Sequence, residues 1–214
     1  MFAVFASLLR MTTKYGFSDV REQLVDGIKG AYPTEWEGLG MGVALGEDMF
    51  GSPKPHPNVV LNLFAGQRIK FALPFAAYRA ALGGFSSLTS DQPGAVLPRL
   101  TLASTVYGME VIRSKLAIFA YVAVCDIGLE GCNSTACAAN AGINPPEQRR
   151  EELAKIYLGV VNGGAGGMLS PPSLGNIVCA NCAKRLETPR RRWCEMTWEK
   201  LPHIFGVGKS WEEL

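Results

Sequence analysis

Apolar residues in this chain recur every three or four positions, and clusters of Gly and Pro interrupt the pattern. This spacing places the apolar side chains on one face of an α-helix, whereas the alternation expected of strands is scarce. We find no internal repeat. The sequence therefore predicts a mainly α fold, a multi-helix array. Its helices are expected over about 1–14, 18–28, 57–64, 71–82, 97–124, 144–161 and 188–201.

Several residues predict where these helices begin and end. Ser18 is suited to cap the second helix, whose face Val20 to Ile28 is expected to pack inward. Pro57 can open the third helix, and Pro74 lies in the first turn of the fourth. The pair Thr188-Pro189 predicts the start of the last helix, with the proline at the first helical position.

A Gly- and Pro-rich stretch separates the second and third helices. It spans residues 33–57 and includes Pro53-Lys54-Pro55-His56-Pro57. Proline lacks a backbone N–H and breaks a helix interior, so the stretch cannot form a continuous helix. We expect a long surface loop here.

Net charge and two apolar segments limit the cellular compartment and the kinds of partner that are expected for this chain. The 214 residues carry a formal net charge of +2, which gives no general attraction to nucleic acid or to anionic membranes. The apolar start, 1–9, lacks the features of a secretory signal. The apolar run 116–125 is shorter than the roughly 20 residues that span a bilayer. These observations predict an intracellular protein of the cytoplasm or nucleus that is not inserted in a membrane.

The cysteines are the sharpest chemical signal. Cys132 and Cys137 form one closely spaced pair, and Cys179 and Cys182 form a second. Thiols of an intracellular protein stay reduced, and two such pairs suit tetrahedral zinc. The sequence thus predicts a small cysteine-rich knuckle near the C-terminus that holds one structural zinc. The alternatives are four unpaired thiols packed as small hydrophobic side chains, or a redox role for the second pair.

No cluster of residues indicates catalysis. His56 and His203 are the only histidines, and neither has a Ser, Cys or carboxylate at a spacing that suggests a triad. The adjacent acids Glu47 and Asp48 would not face each other on a helix. The sequence therefore predicts that the chain is not an enzyme.

A basic run, 190–192, lies near Lys184 and Arg185. A solvated helix face is the first interpretation, and contact with phosphate or with an acidic partner is the other. Together with the cysteine pairs, the second interpretation gives an alternative function, a zinc-knuckle protein associated with nucleic acid.

Several segments carry a family resemblance. The segment 9–17, Leu-Arg-Met-Thr-Thr-Lys-Tyr-Gly-Phe, resembles the sequence just after the BTB/POZ fold in fungal BTB-domain proteins. The segments 31–34 and 71–79 are similar to later parts of the same family. The tail 198–206, with 211–214 and the two cysteine pairs, is similar to its C-terminus. The family places the BTB fold before the first of these segments, so the resemblance implies that most of that fold is missing here.

The resemblance implies a non-catalytic protein–protein interaction module, such as an adaptor, whose protein partner it does not identify. It implies a helical post-BTB region over 1–124 and a cysteine-containing helical region over 125–214, unless the two form one continuous domain. Trp36, Trp193 and Trp211 are candidate contacts, although burial is the expectation for Trp193 and Trp198. Without a covering BTB fold, the first helix is expected to promote self-association, while nucleic acid is not an expected partner.

Overall fold

The computed structural model describes residues 1–36, 49–122 and 180–214. Over these ranges the chain is mainly helical, with 74% of the residues in helices and no strand. The predicted fold class is confirmed at this level. The middle of the Gly/Pro-rich loop, the helix predicted over 144–161 and most of the predicted cysteine knuckle lie outside the described residues.

Within the described ranges the structure has eight α-helices and two short 3-10 helices. The α-helices are α1 (Phe2–Tyr15), α2 (Ser18–Ala31), α3 (Pro57–Gly66), α4 (Leu73–Leu82), α5 (Gly84–Leu88), α6 (Arg99–Val122), α7 (Ala180–Glu199) and α8 (Leu201–Ile204). The 3-10 helices are Lys70–Ala72 and Trp211–Glu213.

The chain divides into two compact units, and the division falls within helices. The first unit contains residues 1–109 and 198–214, and the second contains residues 110–197. In the first unit α1 packs on α2, α3 packs on α4, and α8 also packs on α4. The boundary predicted between 124 and 125 stays a prediction.

The helix ends agree with the sequence at several points. Pro57 occupies the first turn of α3, and Pro74 occupies the first turn of α4. The start of α3 is capped by His56, whose Nδ1 accepts a hydrogen bond from the Asn58 backbone N–H at 3.2 Å. Gly16 ends α1 with φ 71°, a left-handed conformation that costs glycine little because it has no Cβ.

One predicted helix cap and one predicted helix start are wrong. Ser18 is the first residue of α2 and not its cap, and its hydroxyl hydrogen-bonds the Asp19 carboxylate instead. The last helix begins at Ala180 and contains Pro189 in its interior. Proline removes a backbone donor and disfavours a helix interior, which is why the sequence pattern indicated a start there.

An aromatic cluster forms the centre of the first unit. The Tyr32 ring packs edge-on against Phe64 at 4.8 Å and against Phe75 at 5.7 Å between ring centroids. Trp198 is 1% exposed and meets Phe75 at 5.4 Å. Its indole Nε1 donates to the Thr34 carbonyl at 3.0 Å, which fastens the C-terminal tail to the segment after α2.

Two asparagines one turn apart on α3 hold the segment that joins α5 to α6. Asn58 is fully buried, and its Nδ2 donates to the carbonyls of Ser87, Leu88 and Ala95. Asn62 donates in the same way to the carbonyls of Gly94 and Val96. The two amides therefore satisfy backbone acceptors that no helix ladder can pair.

In the second unit a ring pair links α6 and α7. Phe119 stacks on Trp193 with centroids 5.4 Å apart. Cys194, the next residue on α7, is buried, and burial raises the pKa of its thiol to about 12. A thiol with so high a pKa stays protonated at neutral pH and is a packing residue rather than a nucleophile.

Candidate functional site

A strip of exposed apolar side chains runs along α1. Its members are spaced by three and four residues in alternation, so that they lie above one another on one side of the helix. Each is exposed, with Val4 at 63% and Leu8 at 43%. We call this set the α1 strip, and it consists of Met1, Val4, Leu8, Met11 and Tyr15.

The opposite side of α1 is anchored, which fixes the direction in which the strip points. Ala6, Leu9 and Thr12 are buried on that side. Phe2 and Phe5 both pack edge-on against Phe50, with centroid distances of 5.0 and 5.6 Å. The sequence predicted a helix over about 1–14, but it did not indicate that this helix has one buried and one exposed apolar side.

The spacing of the α1 strip is that of a coiled-coil seam. Alternation of three and four residues keeps a seam facing a partner helix over successive turns. Lys14, three residues after Met11, borders the strip, and its Nζ lies 5.2 Å from the centroid of the Tyr15 ring. Arg10 is exposed on another side of the helix. No acidic residue occurs in the α1 sequence.

The tryptophans suggested as contacts are not free surface residues. Trp36 and Trp211 are half-buried and pack on Trp198, at 6.2 and 5.3 Å between centroids. Trp211 Nε1 also donates to the Trp198 carbonyl at 3.0 Å. Trp193, half-buried, is stacked on Phe119, so these rings hold the fold together. The predicted burial of Trp198 is confirmed.

The predicted zinc ligands lie mostly outside the described residues. Cys132, Cys137 and Cys179 belong to the undescribed range, and Cys182 lies in the first turn of α7. In the described part of the chain, no group of three or more His, Cys, Asp or Glu side chains is placed to hold a metal ion. The four-cysteine zinc site stays a prediction.

His56 has a serine neighbour that sequence spacing did not indicate. Ser87 of α5 places its hydroxyl 3.3 Å from His56 Nε2. Because Nδ1 accepts from the Asn58 N–H, a neutral His56 carries its proton on Nε2 and donates it to Ser87. An imidazole in this tautomer cannot accept the serine proton, so the pair is not an activated nucleophile.

A shallow groove lies between α3, α4, the start of α6 and the C-terminal tail. Its volume is about 410 Å³, within the range of small-molecule sites. Lys70 is the one ionisable side chain among its described lining residues, which are otherwise apolar or hydroxyl-bearing. An acid–base pair is therefore lacking among those residues.

The basic residues of α7 are largely exposed, as both interpretations of the run require. Lys184, Arg185 and Arg192 are exposed, and Arg191 bonds Glu195 one turn away at 2.7 Å. A basic helix face interspersed with acidic partners is typical of a solvated surface.

Comparison with known proteins gives no match. No family model, no curated protein and no solved structure matches the chain. None of the helices in the three described ranges combines the length and the apolar character needed to cross a membrane.

Proposed function

We propose that this chain is a non-catalytic protein–protein interaction module, similar to the post-BTB region of fungal BTB-domain proteins, and that the α1 strip is its binding surface. The observation that carries the proposal is the two-sided character of α1. One side is buried against the fold, while a second, continuous apolar side is exposed. The structural zinc at the four cysteines is a separate part of the proposal and does not affect the argument for α1.

The size of the strip supports this function. The five side chains of the strip together expose several hundred Å² of apolar area. For comparison, one fully exposed aromatic side chain contributes roughly 150–250 Å². The largest apolar patch on a typical monomer is about 300–600 Å² and is often a binding site. Exposed Phe17, whose ring centroid lies 6.3 Å from that of Tyr15, extends the apolar surface. Val20, which was predicted to pack inward, is instead 45% exposed.

The expected partner element is a helix with its own apolar stripe. The strip extends along a helix of 14 residues, and its spacing matches a groove-and-ridge contact with a second helix. Lys14 beside the strip favours a partner that carries a carboxylate at the edge of its stripe. Among the described residues, neither the His56–Ser87 pair nor the groove provides an activated nucleophile or an acid–base pair. This finding is compatible with a binding role but is not evidence for it.

A pair of matched variants tests the proposal. Val4 and Val96 are each 63% exposed and both belong to the first unit, but only Val4 lies in the α1 strip. Val4→Lys is expected to lower the recovery of co-purifying proteins from source cells at least tenfold, because a buried valine contributes about 1.5–3 kcal/mol. Val96→Lys is expected to leave that recovery unchanged.

Folding of both variants is checked by circular dichroism and thermal unfolding. Lysine has a better helix propensity than valine, so Val4→Lys is not expected to unfold α1. Equal recovery of partners by the two folded variants would contradict the proposal.

A further inference from the structure

We infer that His56 makes the start of α3 sensitive to acid: protonation of its imidazole breaks the cap of that helix and weakens the hold of α3 on the segment that joins α5 to α6. This cap lies outside the α1 strip, so its behaviour does not depend on the proposed binding function. Three features of the site support the inference: the two hydrogen bonds of the ring, the charges around it, and the position of Asn58.

Each ring nitrogen of His56 has a defined hydrogen-bonding role. Nδ1 accepts from the Asn58 backbone N–H at 3.2 Å, and Nε2 lies 3.3 Å from the Ser87 hydroxyl. A neutral imidazole satisfies both contacts, because it has one acceptor nitrogen and one donor nitrogen. A protonated imidazole carries a hydrogen on both nitrogens, so its Nδ1–H would point at another donor, the Asn58 N–H. Protonation is therefore incompatible with the cap.

The charged groups near His56 do not compensate for the loss of this bond. The first turn of α3 has no acidic residue, and the partial positive charge of a helix N-terminus opposes a cation there. Helix α5 contributes no ionisable side chain. Arg79 of α4 and Lys54, which line one pocket with the residues on either side of His56, are both cations.

The segment between α5 and α6 contains a single acid, Asp91, which is exposed. Among the described residues, no carboxylate forms an ion pair with His56. The surroundings therefore favour the neutral imidazole that the cap requires.

Asn58 couples the cap to the rest of the first unit. Its backbone N–H bonds His56, while its side-chain amide donates to the carbonyls of Ser87, Leu88 and Ala95. Ser87 also contacts the His56 ring, so the start of α3 and the end of α5 are joined through both residues. Loss of the cap frees the first turn of α3, which carries the amide that holds the segment.

The direction of the pH effect follows from proton binding in the two states. A histidine in an unfolded chain binds its proton near pH 6.5. The folded chain must break the cap to bind the same proton, so stability is complete at about pH 8 and falls as the pH falls below about 6.5. Loss of a helix cap is expected to lower the folding equilibrium constant about fivefold.

Urea denaturation of the full chain between about pH 5.5 and 8 tests the inference against two matched variants. His56→Asn keeps a cap, because asparagine is among the best N-cap residues, and its side chain does not titrate. His203, the other histidine, is exposed, and His203→Asn is the control. The unmodified chain and His203→Asn are expected to lose about fivefold in the folding equilibrium constant on acidification, and His56→Asn is expected to lose clearly less. An equal loss in all three proteins would overturn the inference, as would a stability of the unmodified chain that does not change over this range.

NMR of the unmodified chain tests the same point if His56→Asn does not fold. The ring nitrogen shifts of His56 are expected to show the proton on Nε2 at about pH 8, with Nδ1 unprotonated. The Asn58 amide proton is expected to shift with the same midpoint as the His56 ring when the pH is lowered. An Asn58 amide that stays unchanged while the ring titrates would show that protonation leaves the cap intact, and the inference would fail.

Discussion

At the scale of single residues, the fold depends on a few polar side chains with long-range partners. Asn58 is the clearest case, because its amide nitrogen donates to three carbonyls that lie about thirty positions further along the chain. Its Oδ1 is buried and has no hydrogen-bond partner among the described residues. In the sequence Asn58 is only a polar residue near a helix start, so its role could not be predicted. The approach of Ser87 to His56 escaped prediction for the same reason.

Asn58→Asp is expected to destabilise the fold strongly. The change keeps the shape but replaces the donor with a carboxylate that faces three carbonyl oxygens in a buried position. Losing these bonds and burying an unpaired charge cost about 3–5 kcal/mol or more. Asn62→Asp, on the same helix face but in a less buried position, is expected to cost about 1 kcal/mol. Urea denaturation measures the free energy of unfolding of both variants. Equal losses of stability would contradict the larger role assigned to Asn58.

Tyr32 makes stability fall in alkaline solution. Burial raises the pKa of its phenol to about 12, although neighbouring Arg79 acts to lower it. The unfolded chain then loses this proton near its ordinary value of 10.0 while the folded chain keeps it, so stability falls as the pH rises from about 10 to 12.

The expected loss from Tyr32 is about 1 kcal/mol near pH 11, and Tyr32→Phe is expected to remove that part of the decline. Chemical denaturation of both proteins between about pH 8 and 11 measures the difference. Parallel stability curves for the two proteins would show that the Tyr32 phenol titrates normally.

At the scale of elements, apolar spacing with glycine and proline predicted the position of most helices. Residues 57–64, 71–82 and 97–124 were expected to be helical, and α3, α4 and α6 occupy these segments. Helix starts were less predictable, because Pro189 is tolerated inside α7 and Ser18 does not cap α2. Both outcomes depend on what the rest of the fold stabilises, and local preference does not contain that information.

Gly108 of α6 marks a contact between elements that sequence patterns cannot show. A Cβ at this position would lie 2.4 Å from the ring of Phe205, which is itself buried. In an open helix Gly→Ala stabilises by about 1 kcal/mol, but here the added methyl group is expected to destabilise by about 1–3 kcal/mol.

Gly30 of α2 is the matched control for this prediction. A Cβ there meets nothing within 4 Å, so Gly30→Ala is expected to raise the melting temperature while Gly108→Ala lowers it. If both variants were stabilised, the tail would not be packed on α6 at Gly108.

At the scale of the whole molecule, the sequence predicted a mainly helical chain with a first helix over about 1–14, and the structure confirms both in the residues it describes. It did not predict that α1 carries two apolar sides, because apolar residues occupy most of positions 1–11 and their order alone does not show which will be buried and which exposed. In the structure one side of α1 is buried and the other is exposed. The tryptophan rings pack against other rings of the fold, so the α1 strip replaces them as the candidate contact surface.

The measurement that tests the central claim most directly compares Val4→Lys with Val96→Lys in quantitative co-purification. The claim predicts at least a tenfold loss of partner protein for Val4→Lys relative to Val96→Lys, with both variants folded to the same extent. Equal recovery would contradict it, because two equally exposed valines would then contribute equally to binding although only one of them lies in the α1 strip.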